Sequence, residues 1–93
     1  EIPRALSNLG NLFHLDLSQN AFAGTIPFLG DMKNLTYLFL AENAFDPGRL
    51  PSWISELTSL RELDLKTTQR TGIIPDFLGS LTDLVLLEMT TIS

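Results

Sequence analysis

A solenoid of short parallel strands is the fold class that this 93-residue sequence predicts, on three observations. A leucine phrase recurs as Leu12-Phe13-His14-Leu15-Asp16-Leu17, Leu35-Thr36-Tyr37-Leu38-Phe39-Leu40, Leu60-Arg61-Glu62-Leu63-Asp64-Leu65 and Leu84-Val85-Leu86-Leu87-Glu88-Met89, with starts 23, 25 and 24 residues apart. The residues between the phrases recur in the same order. Units of this period are too small to bury an apolar side alone, so each must bury it against its neighbours.

Each element follows from its residues. In every phrase the last two inward positions are two apart, so they share one face of a strand while the residues between them face out. Asn20-Ala21-Phe22 and Asn43-Ala44-Phe45 come next. An inward Asn there suits a buried side chain that bonds the backbone as the strand turns away. A Gly-x-Ile-Pro step follows at Gly24-Thr25-Ile26-Pro27 and Gly72-Ile73-Ile74-Pro75, with a looser form at Gly48-Arg49-Leu50-Pro51. Gly eases the bend, and Pro sets an extended backbone with no N–H to leave unpaired. The closing segments, such as Pro51 to Leu57, are long enough only for a 3₁₀ or single helical turn. They end on Leu6-Ser7-Asn8-Leu9, Leu29-Gly30-Asp31-Met32, Ile54-Ser55-Glu56-Leu57 and Leu78-Gly79-Ser80-Leu81. Trp53 aligns with Phe28 and Phe77 as a row of aromatic packing between units. Phe22 and Phe45 are expected in the core.

The whole pattern resembles the plant-type leucine-rich repeat, L-x-x-L-x-L-x-x-N-x-F/L-x-G-x-I-P-x-x-L-G-x-L-x-x. The resemblance implies an α/β solenoid: a right-handed superhelix with a concave parallel β-sheet and short helical or 3₁₀ turns on the convex side. The chain reads as one domain, 1–93, with a partial repeat 1–11, repeats 12–34, 35–59 and 60–83, and a partial repeat 84–93. Some positions depart from the pattern. Pro27 to Leu29 is one residue short, and Asp46-Pro47-Gly48 is one long. Thr68 stands where Asn belongs and Arg70 where Phe belongs, and Ile92 takes the last Asn position. An inward Arg is costly unless paired or snorkelling. The Asn ladder is expected to end after Asn43.

The 19 leucines supply an ample core. Neither end shows the polar cap that a solenoid end requires. The chain is therefore expected to be a stretch of a longer array whose neighbouring repeats cover its ends, the alternative being a short solenoid that dimerises end to end. There is no cysteine, and so no disulfide framework. No apolar run approaches the ~20 residues of a membrane span, and no secretory leader opens the chain. The net charge of −5 is spread along the sequence and argues against nucleic acid, whose phosphates need a basic face.

On the concave face the strand register displays four columns: His14, Tyr37, Glu62, Leu86; Asp16, Phe39, Asp64, Glu88; Ser18, Ala41, Lys66, Thr90; and Gln19, Glu42, Thr67, Thr91. Tyr37 and Phe39 put two aromatics in the middle strand, among the carboxylates of Asp16, Asp64 and Glu88. One reading is an aromatic anchor in an acidic surround for a basic peptide. The other is cross-strand packing of the rings, with the acids keeping the face soluble. The candidate contact residues are His14, Asp16, Tyr37, Phe39, Glu62, Asp64, Lys66 and Glu88. Lys66 is expected to pair locally with Asp64 and Glu62.

Catalysis finds no support in the sequence. His14 beside Asp16 has no second His or Cys for a metal and no nucleophile for a base to serve. Asp64 and Glu88 fall in adjacent strands ~5 Å apart, as paired glycosidic carboxylates do, but on a shallow open sheet. No phosphate loop, kinase signature or nucleophile elbow occurs. No cofactor is implied. Asn34-Leu35-Thr36 fits the N-x-S/T glycosylation acceptor, expected to be used only where the parent chain enters the secretory pathway.

The resemblance implies a non-catalytic module that binds a protein or peptide, in a receptor ectodomain or a secreted binding protein such as an inhibitor of a wall-degrading enzyme, and hence an extracellular or cell-surface location. The structural alternative is a run of spacer repeats that touches no ligand. A kinase joined to the array would lie outside this sequence.

Overall fold

The computed structural model of the chain describes residues 11–72 and 76–92. The partial repeat before Asn11, the end of the Gly72 to Pro75 step, the Phe77 ring and the side chains at Met89 to Ile92 lie outside what is described. So does Ile92 as an Asn replacement.

The leucine phrases form β1 (His14–Asp16), β3 (Tyr37–Phe39), the first half of β6 (Glu62–Thr71) and the start of β7 (Leu86–Ile92), all paired in parallel. Leu15, Leu38 and Leu63 lie side by side in register, as the period-2 pattern requires. Each coil repeats the same backbone bonds: Phe13 O accepts from the N–H groups of both Thr36 and Tyr37, Thr36 O from Arg61 and Glu62, and Arg61 O from Val85 and Leu86.

A second set of short strands runs beside the concave sheet, which the leucine pattern does not announce. β2 (Ala23–Gly24) pairs with β4 (Ala44–Phe45). β5 (Gly48–Arg49) pairs instead with the far end of β6, and β7 with β6 in turn. The extra residue at Asp46-Pro47-Gly48 falls between β4 and β5 and splits this side sheet in two. The shortened Pro27 to Leu29 segment also has a consequence. Where the later coils form 3₁₀ helices at Ser52–Glu56 and Asp76–Ser80, this coil closes with a bare turn.

The core is a leucine stack: Leu29, Leu35, Leu38, Leu57 and Leu60 are wholly buried, with Phe45, Met32 and Ile54 beside them. Leu15, nearer the edge, keeps 7% of its surface, and Leu12, Leu17, Phe22 and Leu87 are partly buried. Burial thus tracks the number of neighbouring coils, as nearest-neighbour stacking demands. Each fully buried leucine contributes roughly 1.5–3 kcal/mol. Phe28 meets Trp53 edge-on at 6.1 Å between centroids, which starts the expected aromatic row. Gly30 makes that contact possible, since a Cβ there would sit 2.7 Å from the Phe28 ring.

The polar ladder is built as expected at Asn43 and is then continued by other means. Asn43, 6% exposed, donates its amide to Leu17 O (2.8 Å), Leu40 O (3.0 Å) and Ala41 O (3.3 Å), and its Oδ1 accepts from Phe22 N–H (3.2 Å). Thr68 donates to Leu65 O at 2.7 Å, which replaces only the bond within its own turn. Arg70 is 5% exposed and fully paired with carbonyls: Nε to Thr68 O at 3.1 Å, Nη1 to Arg49 O at 3.0 Å, and Nη2 to Asp46 O. Burial lowers its pKa, partly offset by the Asp46 carboxylate. Gln69 adds a bond from Nε2 to Phe45 O (2.9 Å), while in the preceding coil the Ala44 backbone N–H reaches Phe22 O. The two irregular stretches therefore fit each other: side chains of one coil serve carbonyls around the extra residue of the other. Gly48 gives the guanidinium room, because a Cβ there would meet Nη1 at 3.3 Å.

Gly24 and Gly72 bend with φ of 79° and 85°. Gln19, Glu42 and Thr67 occupy the same left-handed turn in successive coils at 56°, 59° and 56°, where Thr67 is β-branched and carries the steepest steric penalty.

Asn43→Ala orphans Leu40 O and Phe22 N–H, while Leu17 O and Ala41 O keep Asn20 and Gln19 as donors, and should cost about 2–3 kcal/mol in denaturant unfolding. Asn20→Ala, at an exposed site, should cost no more than about 0.5 kcal/mol.

Candidate functional site on the concave sheet

The strand registers bring the first two columns together as expected. His14 pairs with Tyr37, Tyr37 with Glu62 and Glu62 with Leu86; Asp16 pairs with Phe39, Phe39 with Asp64 and Asp64 with Glu88. The alternating pattern of β3 leaves Leu38 buried and turns Tyr37 and Phe39 partly to solvent. His14 and Asp16 are exposed, and Glu62, Asp64, Lys66 and Glu88 are half-buried. The third column differs from expectation. Ala41 is buried at 3%, just before the left-handed turn at Glu42.

The sequence alone shows His14 only as facing solvent. Its ring lies 5.4 Å from Tyr37 and edge-on to Phe39 at 5.5 Å, with Tyr37 and Phe39 themselves 6.4 Å apart. The three rings form one cluster across β1 and β3. Spacing could have revealed it, since His14 and Tyr37 occupy the same place in adjacent phrases and cross-strand neighbours on one face approach within ring contact.

The carboxylates around the cluster are held in a repeated way. Asp16 Oδ1 accepts from Ser18 N–H at 3.0 Å, and Asp64 Oδ1 from Lys66 N–H at 3.1 Å. Asp16 and Asp64 therefore stand on either side of Phe39 with matching local geometry. The Lys66 side chain does not pair with Asp64 or Glu62 as expected. It reaches across to the next strand and bridges Glu88 at 3.0 Å. The reason is geometric: neighbouring strands lie ~4.8 Å apart, well within the reach of a lysine stem, whereas Asp64 is already turned back onto its own backbone. The hydrogen bond that Lys66 donates to Glu88 raises its pKa first, then the Glu88 charge, then those of Asp64 and Glu42. Asp64 thus accepts from the Lys66 backbone N–H and Glu88 from its side chain. Lys33 bridges Glu56 at 3.1 Å on the outer side. Asn34 is exposed in the turn before β3.

Parallel leucine phrases in register, a bonded Asn ladder and 3₁₀ closures define a repeat solenoid, and the chain belongs to the leucine-rich repeat proteins of the plant type. The family described as Leucine Rich Repeat matches residues 11–31 and 59–81. Receptor-like protein 41 of Arabidopsis thaliana is 38% identical over 115 aligned positions, covering 96% of this chain and 13% of that protein. The crystal structure of a TDR receptor superposes with a TM-score of 0.89 at 34% identity, over 98% of this chain and 16% of that one. The plant peptide hormone receptor RGFR1, solved in complex with RGF2, gives 0.88 at 30% identity, over 97% and 15%. The chain thus spans about an eighth to a sixth of the length of these relatives.

The raised Lys66 pKa contributes stability that is complete below the ordinary lysine range and is lost as pH climbs through the folded value. NMR titration of Lys66 should show Glu88→Gln lowering its pKa more than Asp64→Asn does. An equal or reversed order would return the lysine to its own strand.

Proposed function

We propose that this chain is a non-catalytic recognition surface, whose concave sheet binds an extended peptide segment that carries a basic side chain beside an apolar one. The observation that supports it is the cluster of His14, Tyr37 and Phe39, flanked by Asp16 and Asp64. A lysine or arginine placed over an aromatic face within ~6 Å gains about 0.5–2 kcal/mol, and the flanking carboxylates add charge complementarity. The strands hold these side chains in a stiff grid, so little ordering entropy is lost on binding. Relatives solved with peptide ligands, such as RGFR1 with RGF2, support peptides as the partner class. Their receptor character supports a place in a cell-surface ectodomain or a secreted binding protein, with 1–93 acting as one domain within an array.

Glu62, Lys66 and Glu88 form the far side of this surface. The bridge between Lys66 and Glu88 offsets the Glu88 charge and leaves the acidity beside the rings with Asp16, Glu62 and Asp64. Nucleic acid is disfavoured by the same charge. Among the described residues no helix is long and apolar enough to cross a membrane. The second reading, spacer repeats without a ligand, draws on the half-burial of Tyr37 and Phe39 by their ring neighbours.

The test uses short synthetic peptides with one Arg or Lys between apolar residues, against Gln-substituted controls. The basic peptides should bind and the controls should not. Tyr37→Ser with Phe39→Ser should weaken binding about tenfold or more while the melt is retained. Asp16→Asn with Asp64→Asn should flatten its salt dependence. Binding unchanged by both pairs, or no binding of any peptide in the panel, would favour the spacer.

A further inference from the structure

We infer that the concave sheet recognises a peptide in the polyproline II conformation that carries two basic residues three positions apart, one seated at Asp16 and the other at Asp64. The inference rests on the peptide-binding reading above and names the partner more closely.

The two carboxylates stand in one line across the strands. The registers pair Asp16 with Phe39 and Phe39 with Asp64, so a single strand separates the acids and Phe39 lies between them. At the ordinary spacing of paired strands their backbones are ~9.6 Å apart. Both acids are also held alike. Asp16 Oδ1 accepts from Ser18 N–H and Asp64 Oδ1 from Lys66 N–H, each two residues on. That leaves the second oxygen of each to accept from a ligand.

A ligand lying across the strands must put a cation at each end of this span. An extended strand repeats one side at every second residue, at ~6.6 Å and then ~13 Å, and misses the span both times. An α-helix reaches it only seven residues on, at ~10.5 Å, and a helix that short is unstable in water. Polyproline II turns once in three residues with a rise of ~3.1 Å, so residues i and i+3 share one side ~9.3 Å apart. Of the regular conformers a short peptide can hold, this one matches.

The surface between the acids suits the same conformer. His14, Tyr37 and Phe39 meet at 5.4, 5.5 and 6.4 Å between ring centroids, which makes a continuous aromatic floor. Aromatic floors take proline rings well, and a polyproline II helix has little ordering entropy left to lose. Charge agrees with this placement. Glu62 shares the face of β6 with Asp64, and the Lys66 ammonium is drawn away to Glu88 at 3.0 Å. At 0.1 M salt the screening length is ~10 Å, close to the span, so each carboxylate is felt mainly by the charge set against it. Position on the peptide therefore counts as well as net charge.

Short blocked peptides, proline throughout except for two arginines, test this on the 93-residue chain by titration calorimetry. The arginines sit two, three or four positions apart, so composition and charge stay constant, and a one-arginine peptide is the reference. The three-apart peptide should bind about fivefold or more tighter than the other two. Asp16→Asn and Asp64→Asn should each bring it down to the level of the one-arginine peptide, with circular dichroism melts reporting that the variants keep their fold. The spacing series needs only the wild-type chain, so misfolding of a variant does not remove the test. Replacing the prolines by Gly and Ser should erase most of the preference. Equal binding at all three spacings, or preference for another spacing, would overturn the inference and leave the peptide reading intact. A preference undiminished in the Gly-Ser peptides would overturn the polyproline II conformer, and tight binding that neither Asn variant weakens would overturn the seating at the acids. No binding by any arginine peptide would defeat the peptide-binding reading and this inference together.

Discussion

Every coil of this solenoid must hand its backbone carbonyls to a donor in the coil beside it or in its own turn. A buried carbonyl without one costs about 1–3 kcal/mol, comparable to the gain from burying a leucine. Leucine stacking supplies the drive to pack, but it does not set where the coils turn. The polar residue at the strand exit does that. Asn43 serves three carbonyls and one N–H from the centre of the stack. One coil later the same demand is met by Thr68, Gln69 and Arg70 together. A buried arginine is tolerable because each of its polar groups meets a carbonyl, and Gly48 leaves space for the guanidinium.

That constraint bears on function through rigidity. Strands pinned at entry by shared carbonyls and at exit by the ladder hold Tyr37, Phe39 and His14 in one cluster and set Asp16 and Asp64 at matching angles. The cluster stands on the leucine phrases of coils 12–34 and 35–59, whose own irregularities fall after the strands, at Pro27 to Leu29 and Asp46-Pro47-Gly48. The irregular pair, with its arginine and its extra residue, sits on the side sheet away from the concave columns. Irregularity is thus absorbed where it does not disturb the grid.

Much of this was legible in the sequence, for a physical reason. A parallel stack translates each residue position into a column, so aligning the phrases by their leucines gave the pairing of His14 with Tyr37 and of Asp16 with Phe39 directly. The inward leucines and the Asn43 role followed from the same period. What stayed hidden depends on contacts between unlike positions. The Lys66 bridge to Glu88 crosses to a neighbouring strand, and no local pattern marks it. The side sheet joins β4 to β2 but β5 to β6, a switch caused by one extra residue whose effect is felt in another coil. The left-handed turns at Gln19, Glu42 and Thr67 carry no glycine, so composition did not announce them. Arg70 looks like a misfit in the sequence because its partners are carbonyls, which every sequence has and none displays.

The most direct test of this account is a double-mutant cycle between deletion of Pro47 and Arg70→Phe, read by denaturant unfolding. The two changes restore the repeat length in one coil and the usual aromatic in the next. If the arginine exists to serve carbonyls displaced by the extra residue, each change alone destabilises the chain. Together they should recover a favourable coupling of about 1–3 kcal/mol. Additivity within about 0.5 kcal/mol would contradict the account and leave the two irregularities as unrelated events.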